Sequence, residues 1–424
     1  MLNIFFPFSR KTKLPKSTAR YIDYDSIKIV KKLQKSGYKS YLVGGCVRDL
    51  LLGVKPLDFD ISTNARPSTV KALIGRSFVI GKRFKIVVAY RKEFDTKKKY
   101  NAILKKNNIL IFNEKRKPLK EFQITTFRRP PEIKNGVLNE NVYGNPKQDS
   151  MRRDFTINAL ALDPTNLEIY DFNNGVHDLK KKKIVIIGNP KKRFIEDPIR
   201  ILRAIRFKHR YDFTIEAKTM KGITQTLSYL KKTKMERIRE ELVKMVKENI
   251  GSKCFDQFWK EDLWTNINSN LNISSYDKNK KPLINAHIKI LKTAEKFPWP
   301  NKDDKSVYLF FVFFPFIFSS LKQGNLAKIK SLLKELKVYN AEIDDILWVG
   351  QRLFKQGKDQ NFFKGLKNSK KIRLYNKLAY ICFILSESNF KSFKKSWPTN
   401  LKNWALLSNT SKNKTKPEKS NRKT

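Results

Sequence analysis

Asp58 and Asp60 stand two residues apart in Leu57-Asp-Phe-Asp-Ile-Ser-Thr63. On a strand, side chains two apart share a face, so both carboxylates point one way and Phe59 points to a core. Oxygen ligands of this kind suit Mg²⁺. Two carboxylates on one face can hold two such ions about 3.5–4 Å apart, an arrangement used for displacement at phosphorus. A solvated strand end also carries Asp-x-Asp, so the flanking residues decide. Just upstream, Tyr41-Leu-Val-Gly-Gly-Cys-Val-Arg-Asp-Leu-Leu-Leu-Gly53 reads as an apolar strand, a Gly44-Gly45 turn and a short helix. Glycine lets the backbone approach a ligand closely, and a helix start offers N–H groups to phosphate oxygens. A phosphate cradle beside a pair of metal ligands points to phosphoryl or nucleotidyl transfer.

Two further clusters carry charge in a pattern. Arg152-Arg153-Asp154 lies at the entry to an apolar stretch and suits a triphosphate or a ribose, with helix capping by Asp154 as the competing use. In Glu196-Asp197-Pro198-Ile-Arg200-Ile-Leu-Arg203-Ala-Ile-Arg206, Glu196, Arg200 and Arg203 share one helical face, and Ile201, Leu202 and Ile205 the other. Pro198 fits a first helical position with Asp197 as its cap. Alternatively, Asp and Arg present a donor and acceptor edge to a nucleobase, in place of a template. Glu236-Arg-Ile-Arg-Glu-Glu241 reads as a solvated helix start.

The elements that must position these groups fall into two classes. Up to about residue 190, strands and helices mix: a helix from Asp25 or Ser26 to Gly37, strands in 78–90, 121–127, 168–171 and 183–187, and a helical stretch leading to Leu162. A Lys-rich insertion at 91–120 carries a possible hairpin at Asn108–Phe112. Residues 1–20 and 130–150 read as loose chain and loop. From Pro190 onward the pattern is helical, with stripes at Ile238/Leu242/Met245 and Leu326/Ile329/Leu333/Leu336 and an apolar helix at 372–388. The fold class is α+β. The expected segments are a basic N-terminal piece 1–24, a mixed head 25–180, a helical neck 181–264, a linker 265–282, a helical body 283–407 and a basic tail 408–424.

Composition bounds the partners. The chain has 424 residues and 90 Lys+Arg against 39 Asp+Glu, a formal charge of +51. A polyanion, nucleic acid above all, is the partner such a field selects, although abundant Lys, Asn, Ile and Phe also mark an AT-rich coding bias. Cys46, Cys254 and Cys382 are far apart, and only His177, His209 and His287 occur. That spacing gives no zinc site and no histidine-based triad, and it fits a reducing, cytoplasmic setting. The strongest apolar run, Val307 to Phe318, contains Pro315 and falls short of the roughly 20 residues of a membrane span, so a buried helix and no membrane partner are expected.

In this order the motifs resemble the class II nucleotidyltransferase family of bacterial poly(A) polymerases and CCA-adding enzymes. The matching stretches are Leu42–Gly53, Leu57–Thr63, Arg152-Arg-Asp-Phe-Thr-Ile-Asn158 and Glu196-Asp-Pro-Ile-Arg200, within about 22–245. The resemblance implies a nucleotidyltransferase head with a short mixed sheet, then all-helical neck, body and tail domains that grip RNA. It implies Mg²⁺ on Asp58 and Asp60, and ATP as the substrate. Gly44, Gly45 and Arg48 would face the triphosphate. Arg152, Arg153 and Asp154 would handle triphosphate and ribose, with Asp154 among the active-site carboxylates. Asp197 and Arg200 would read the base, with Arg203 beside them on the nucleotide-binding face.

Ile80-Gly-Lys-Arg-Phe-Lys-Ile-Val87 resembles the poly(A) polymerase branch, with Lys82 and Arg83 as RNA contacts. CCA-adding enzymes tend to carry a Gly-Thr-Val-like run there. The expected activity is AMP transfer from ATP to RNA 3′ ends, with the RNA-degradation machinery a further possible partner. CCA addition to tRNA is the alternative, and a non-catalytic RNA-binding protein the second. The latter is motivated by Gln123, which stands where the family usually has a carboxylate.

Overall fold

The computed structural model describes residues 10–81, 85–90, 121–130, 132–134, 137–139, 142–271, 281–297 and 304–355, with Lys377, Ile381, Ile384, Leu385 and Ser388. Lys82, Arg83, the insertion at 91–120, half of the 265–282 linker, most of 372–388 and the 408–424 tail lie outside the described residues; the described half of the expected linker holds the end of the helix Leu263–Ile267, the 3₁₀ turn Ser269–Leu271 and the start of the helix Lys281–Lys296. The chain divides into two units, Met1–Arg193 with Phe213–Gly222, and Phe194–Asp212 with Ile223–Thr424.

The strands in chain order are β1 (Arg10–Lys13), β2 (Ser40–Val43), β3 (Asp60–Thr63), β4 (Ser77–Ile80), β5 (Ile86–Tyr90), β6 (Glu121–Thr126), β7 (Glu132–Lys134), β8 (Val137–Asn139), β9 (Leu160–Asp163), β10 (Glu168–Asp171), β11 (Lys183–Ile184) and β12 (Thr214–Ile215). Among the described residues, eight of them form one sheet in the order β1-β10-β9-β2-β3-β6-β5-β4. Its neighbours run antiparallel except β3 and β6, which are parallel with Ile61 opposite Ile124. The sheet is mixed and the first unit is α+β. Leu42, Val47, Leu50, Ile61, Phe122 and Leu162 bury themselves in its core. The helix Tyr24–Lys35 packs there through Val30 and Leu33, and it ends before Gly37 at φ +85°. Its cap is Asp23, two residues before Asp25 and three before Ser26, the two expected caps, and Asp23 Oδ1 accepts from the N–H groups of both.

Four expectations change. Residues 10–13, expected loose, form the edge strand β1 against β10; an edge strand needs backbone partners rather than apolar periodicity, and basic residues guard it. The stretch leading to Leu162 is a 3₁₀ turn, Thr156–Asn158, followed by the strand β9. A strand buried on both faces is apolar throughout, so its sequence imitates a helix. Residues 130–150 hold the β7–β8 hairpin and the helix Pro146–Met151, which begins with an Asn145/Gln148 capping box. Finally, Thr214–Ile215 pairs with Lys183–Ile184, so strand structure does occur beyond Pro190.

Among its described residues the second unit is built from helices. Met235–Lys247 buries Ile238, Leu242 and Met245, and Leu326–Glu335 buries Ile329 and Leu333, as the periodicity predicts. Around His287 gather Phe255, Trp259 and Trp264. Lys305–Lys322 is the one described helix long and apolar enough to cross a membrane, yet it contains Pro315 and buries Phe310, Phe311, Phe313 and Phe314 within the protein. It serves as a core helix, as expected.

Candidate active site

Asp60 opens β3, and Asp58 precedes it by two residues. Phe59 between them is buried while both carboxylates are exposed, so the alternation read from the sequence holds through this stretch. Protein crowds the Asp60 carboxyl on the sides away from solvent and raises its pKa to about 6; the Asp58 charge adds to the rise and Arg153 opposes it. The pairing of Ile61 with Ile124 makes Gln123 the lateral neighbour of Asp60 on the exposed face of β6. A neutral amide thus stands where a third carboxylate would add to that repulsion. Among the described residues no cluster of three or more Asp, Glu, His or Cys could hold a metal ion. Two neighbouring carboxylates nonetheless fit Mg²⁺, which takes one or two carboxylates and completes its shell from substrate phosphates and water.

Behind the pair, the Gly44-Gly45 turn is shaped by arginines. Gly44 has φ +78°, and a Cβ there would lie 2.8 Å from Arg153 Nη1, so both backbone conformation and the packed guanidinium require glycine. Arg153 is held in place: its Nη1 donates to the Asn158 carbonyl at 3.3 Å and its Nη2 to Asp149 Oδ2 at 3.3 Å. Arg48, expected to face the triphosphate, is turned inward. It is 5% exposed, its Nε donates to Asp49 Oδ1 at 2.9 Å, and its Nη1 donates to Asn158 Oδ1. Its guanidinium lies 3.3 Å from the position of a Cβ on Gly45, so it backs the turn from inside the fold. Asp154 Oδ1 accepts from the Phe155 N–H at 2.8 Å and from Asn158 Nδ2 at 3.0 Å. Arg193 Nη2 clamps the carbonyls of Arg152 and Arg153 at 2.9 and 2.7 Å.

Asn158 is therefore the hub. Its amide accepts from Arg48 and donates to Asp154, and its carbonyl accepts from Arg153. Asp149 and Arg193 belong to the same shell. The sequence pattern singles out none of the three as a site residue. The available signal for Asn158 was its place at the end of the Arg152–Asn158 stretch, whereas Asp149 and Arg193 carried no sequence signal of their own.

Asp197, Arg200 and Arg203 belong to the second unit. The helix Ile199–Tyr211 has Pro198 at its N-cap position and no side-chain cap, which corrects the expectation that Asp197 caps it. The Asp197 carboxylate is taken instead by Arg237, with Nη1 to Oδ1 at 2.8 Å and Nη2 to Oδ2 at 3.0 Å. Arg200 is buried and donates from Nη1 to Glu196 Oε2 at 3.0 Å. Arg203 reaches Glu241 Oε1 at 3.6 Å, and Arg206 Nε donates to Glu241 Oε2 at 2.8 Å. Burial works against charge on Glu241, but Arg206, Lys244 and Arg203 hold its pKa below the usual carboxylate value. The 236–241 stretch, read as a solvated helix start, thus anchors the segment that carries Asp197 and Arg203.

Residues 40–185 match the poly A polymerase head domain, and residues 212–273 match the family described as a probable RNA and SrmB-binding site of polymerase A. The Poly(A) polymerase I of Haemophilus influenzae is 34% identical over 234 residues, 54% of this chain and 48% of that protein. The CCA-adding enzyme of Lactobacillus helveticus is 38% identical over 220 residues, 51% of this chain and 48% of that protein. The chain thus spans about half the length of the curated relatives it matches. The solved Bacillus stearothermophilus CCA-adding enzyme in complex with CTP shares the fold, with a TM-score of 0.58 at 22% identity over 91% of this chain and 82% of that chain.

Proposed function

We propose, from the premise that residues 40–185 belong to the poly(A) polymerase head-domain family, that this protein adds AMP from ATP to RNA 3′ ends without a template and releases pyrophosphate. The observation that carries the reading is the exposed Asp58/Asp60 pair next to a glycine turn packed against Arg153. In this reading the RNA 3′-hydroxyl attacks the α-phosphorus in line. Two Mg²⁺ ions on Asp58 and Asp60 would supply the charge that favours a 3′-alkoxide and offsets the leaving pyrophosphate. Arg153 and Arg152 meet the triphosphate and ribose, Asn158 keeps Arg153 and Asp154 in register, and Asp197 with Arg200 reads the base. Lys82 and Arg83 contact RNA.

Adenylate as the nucleotide rests on Ile80-Gly-Lys-Arg-Phe-Lys85 and on the Poly(A) polymerase I relatives. The match over 212–273 supports RNA as partner, and a protein of the RNA-degradation machinery is proposed as a second one. The buried, free Cys46 and Cys254 suit a cytoplasmic setting. The test is to incubate the protein with an RNA oligomer, Mg²⁺ and each nucleoside triphosphate separately. Long tails from ATP alone are expected.

A second reading, CCA addition, is favoured by the 38% identity to a CCA-adding enzyme; CTP-then-ATP incorporation confined to tRNA ends would establish it in place of the first. Gln123 motivates a third, loss of catalysis with retention of salt-sensitive RNA binding. A large gain in rate in Gln123→Glu would show that the site had decayed.

A further inference from the structure

Asp197 and Pro198 lie between two helices, Pro190–Glu196 and Ile199–Tyr211, and the Asp197 carboxylate does not cap the second. Its plane is set from elsewhere. Both guanidinium Nη groups of Arg237, forty residues on, grip its two oxygens in a fork, at 2.8 and 3.0 Å. Such a bidentate pair fixes orientation as well as distance. Each carboxylate oxygen has two lone pairs, so the fork leaves acceptor capacity on both oxygens, aimed in a direction that Arg237 dictates. The helix Met235–Lys247 that carries Arg237 grips the Asp197 segment a second time. One turn further on, Glu241 takes Arg206 at 2.8 Å and Arg203 at 3.6 Å. The carboxylate and the helix that follows it are therefore held by one rigid element.

We propose that Arg237 is a positioning residue for nucleotide choice: by fixing the Asp197 carboxylate plane, it decides which base edge can donate to it. The proposal rests on the reading above that Asp197 faces the base. A merely structural role makes a different prediction. The Arg237 side chain is 52% exposed and that of Asp197 25% exposed, and pairs this open contribute little to stability. Loss of Arg237 should thus leave folding nearly intact while discrimination falls.

The experiment uses the full chain and measures displacement of a fluorescent ATP analogue by unlabelled ATP, CTP, GTP and UTP, alongside thermal melting. In Arg237→Ala the preference for ATP over CTP is expected to drop about tenfold, within the range of one oriented base contact, with the melting transition unmoved. Arg237→Lys keeps the charge but has no fork, and is expected to stay close to Ala. Asp197→Ala is expected to lose the same preference, with no further loss in the double variant. Unchanged discrimination in Arg237→Ala while Asp197→Ala loses it would overturn the proposal and leave the base-reading role of Asp197 standing. Full recovery in Arg237→Lys would overturn it as well, since charge alone would then suffice. Intact discrimination in Asp197→Ala would overturn the base-reading premise and the proposal together.

Discussion

Carboxylates are treated in opposite ways in the two units. In the first, Asp58 and Asp60 stand exposed and side by side, Gln123 adds no charge beside them, and Asp60 is held reluctant to ionise. In the second, Glu241 is buried among Arg206, Arg203 and Lys244, and Arg206 and Arg210 also share Glu248. A group whose electrostatics are satisfied inside the protein has little left to offer a ligand. One left in want of a cation is poised to bind it. The difference separates a site from its scaffold, although both are dense in charge.

Four measurements sharpen or break that contrast. Asp58→Ala should reduce nucleotide incorporation by about a thousandfold or more while circular dichroism and melting stay unchanged; a coincident loss of folding would place the pair in the scaffold instead. Glu241→Ala should destabilise the second unit by about 1.5–3 kcal/mol, because Arg206, 5% exposed, loses the partner of its Nε and keeps only Glu248. Urea unfolding checks it, and a change below ~1 kcal/mol would mean that solvent reaches the cluster.

Arg239 is the counterexample within the second unit. It is 2% exposed, its Nη1 and Nη2 have no hydrogen-bond partner among the described residues, and it rests over the Tyr339 ring at 4.5 Å. Replacing that uncompensated charge in Arg239→Met should raise stability by about 1–3 kcal/mol, readable as a higher melting temperature. The smallest effect concerns pH. The Asp60 pKa rises from 3.8 to about 6 on folding, so its protonated form is the better bound one. Its contribution to stability is complete below its unfolded value and is lost as pH climbs through about 6. Asp60→Asn should therefore stabilise the protein by on the order of 1 kcal/mol at neutral pH once solvent screening is allowed for, with no gain below about pH 4. Melting curves of both proteins between pH 4 and 7 decide it.

The strongly patterned parts of the molecule were legible in the residues. Asp58-Phe59-Asp60 alternates as written, the Gly44-Gly45 turn has the positive φ that its glycine announces, and the stripes at Ile238/Leu242/Met245 and Ile329/Leu333 are buried. Elements whose patterns are shared by two structures were not legible. Leu160–Asp163 is apolar because it lies in the middle of the sheet, and that same run suits a buried helix. Arg10–Lys13 has no pattern because its strand is defined by backbone bonds to Glu168–Asp171.

By itself, then, the sequence determined the local chemistry: which carboxylates share a strand face, where glycine is required, and which helix faces turn inward. Each depends on residues within a few positions of one another, through the periods of strand and helix. Only the tertiary structure decided which charges are occupied. Arg48 is used up by Asn158 110 residues away, Asp197 is held by Arg237, and Glu241 by Arg206. Whether an ionic side chain faces a ligand or a partner depends on what packs against it from distant parts of the chain, and no local period carries that information.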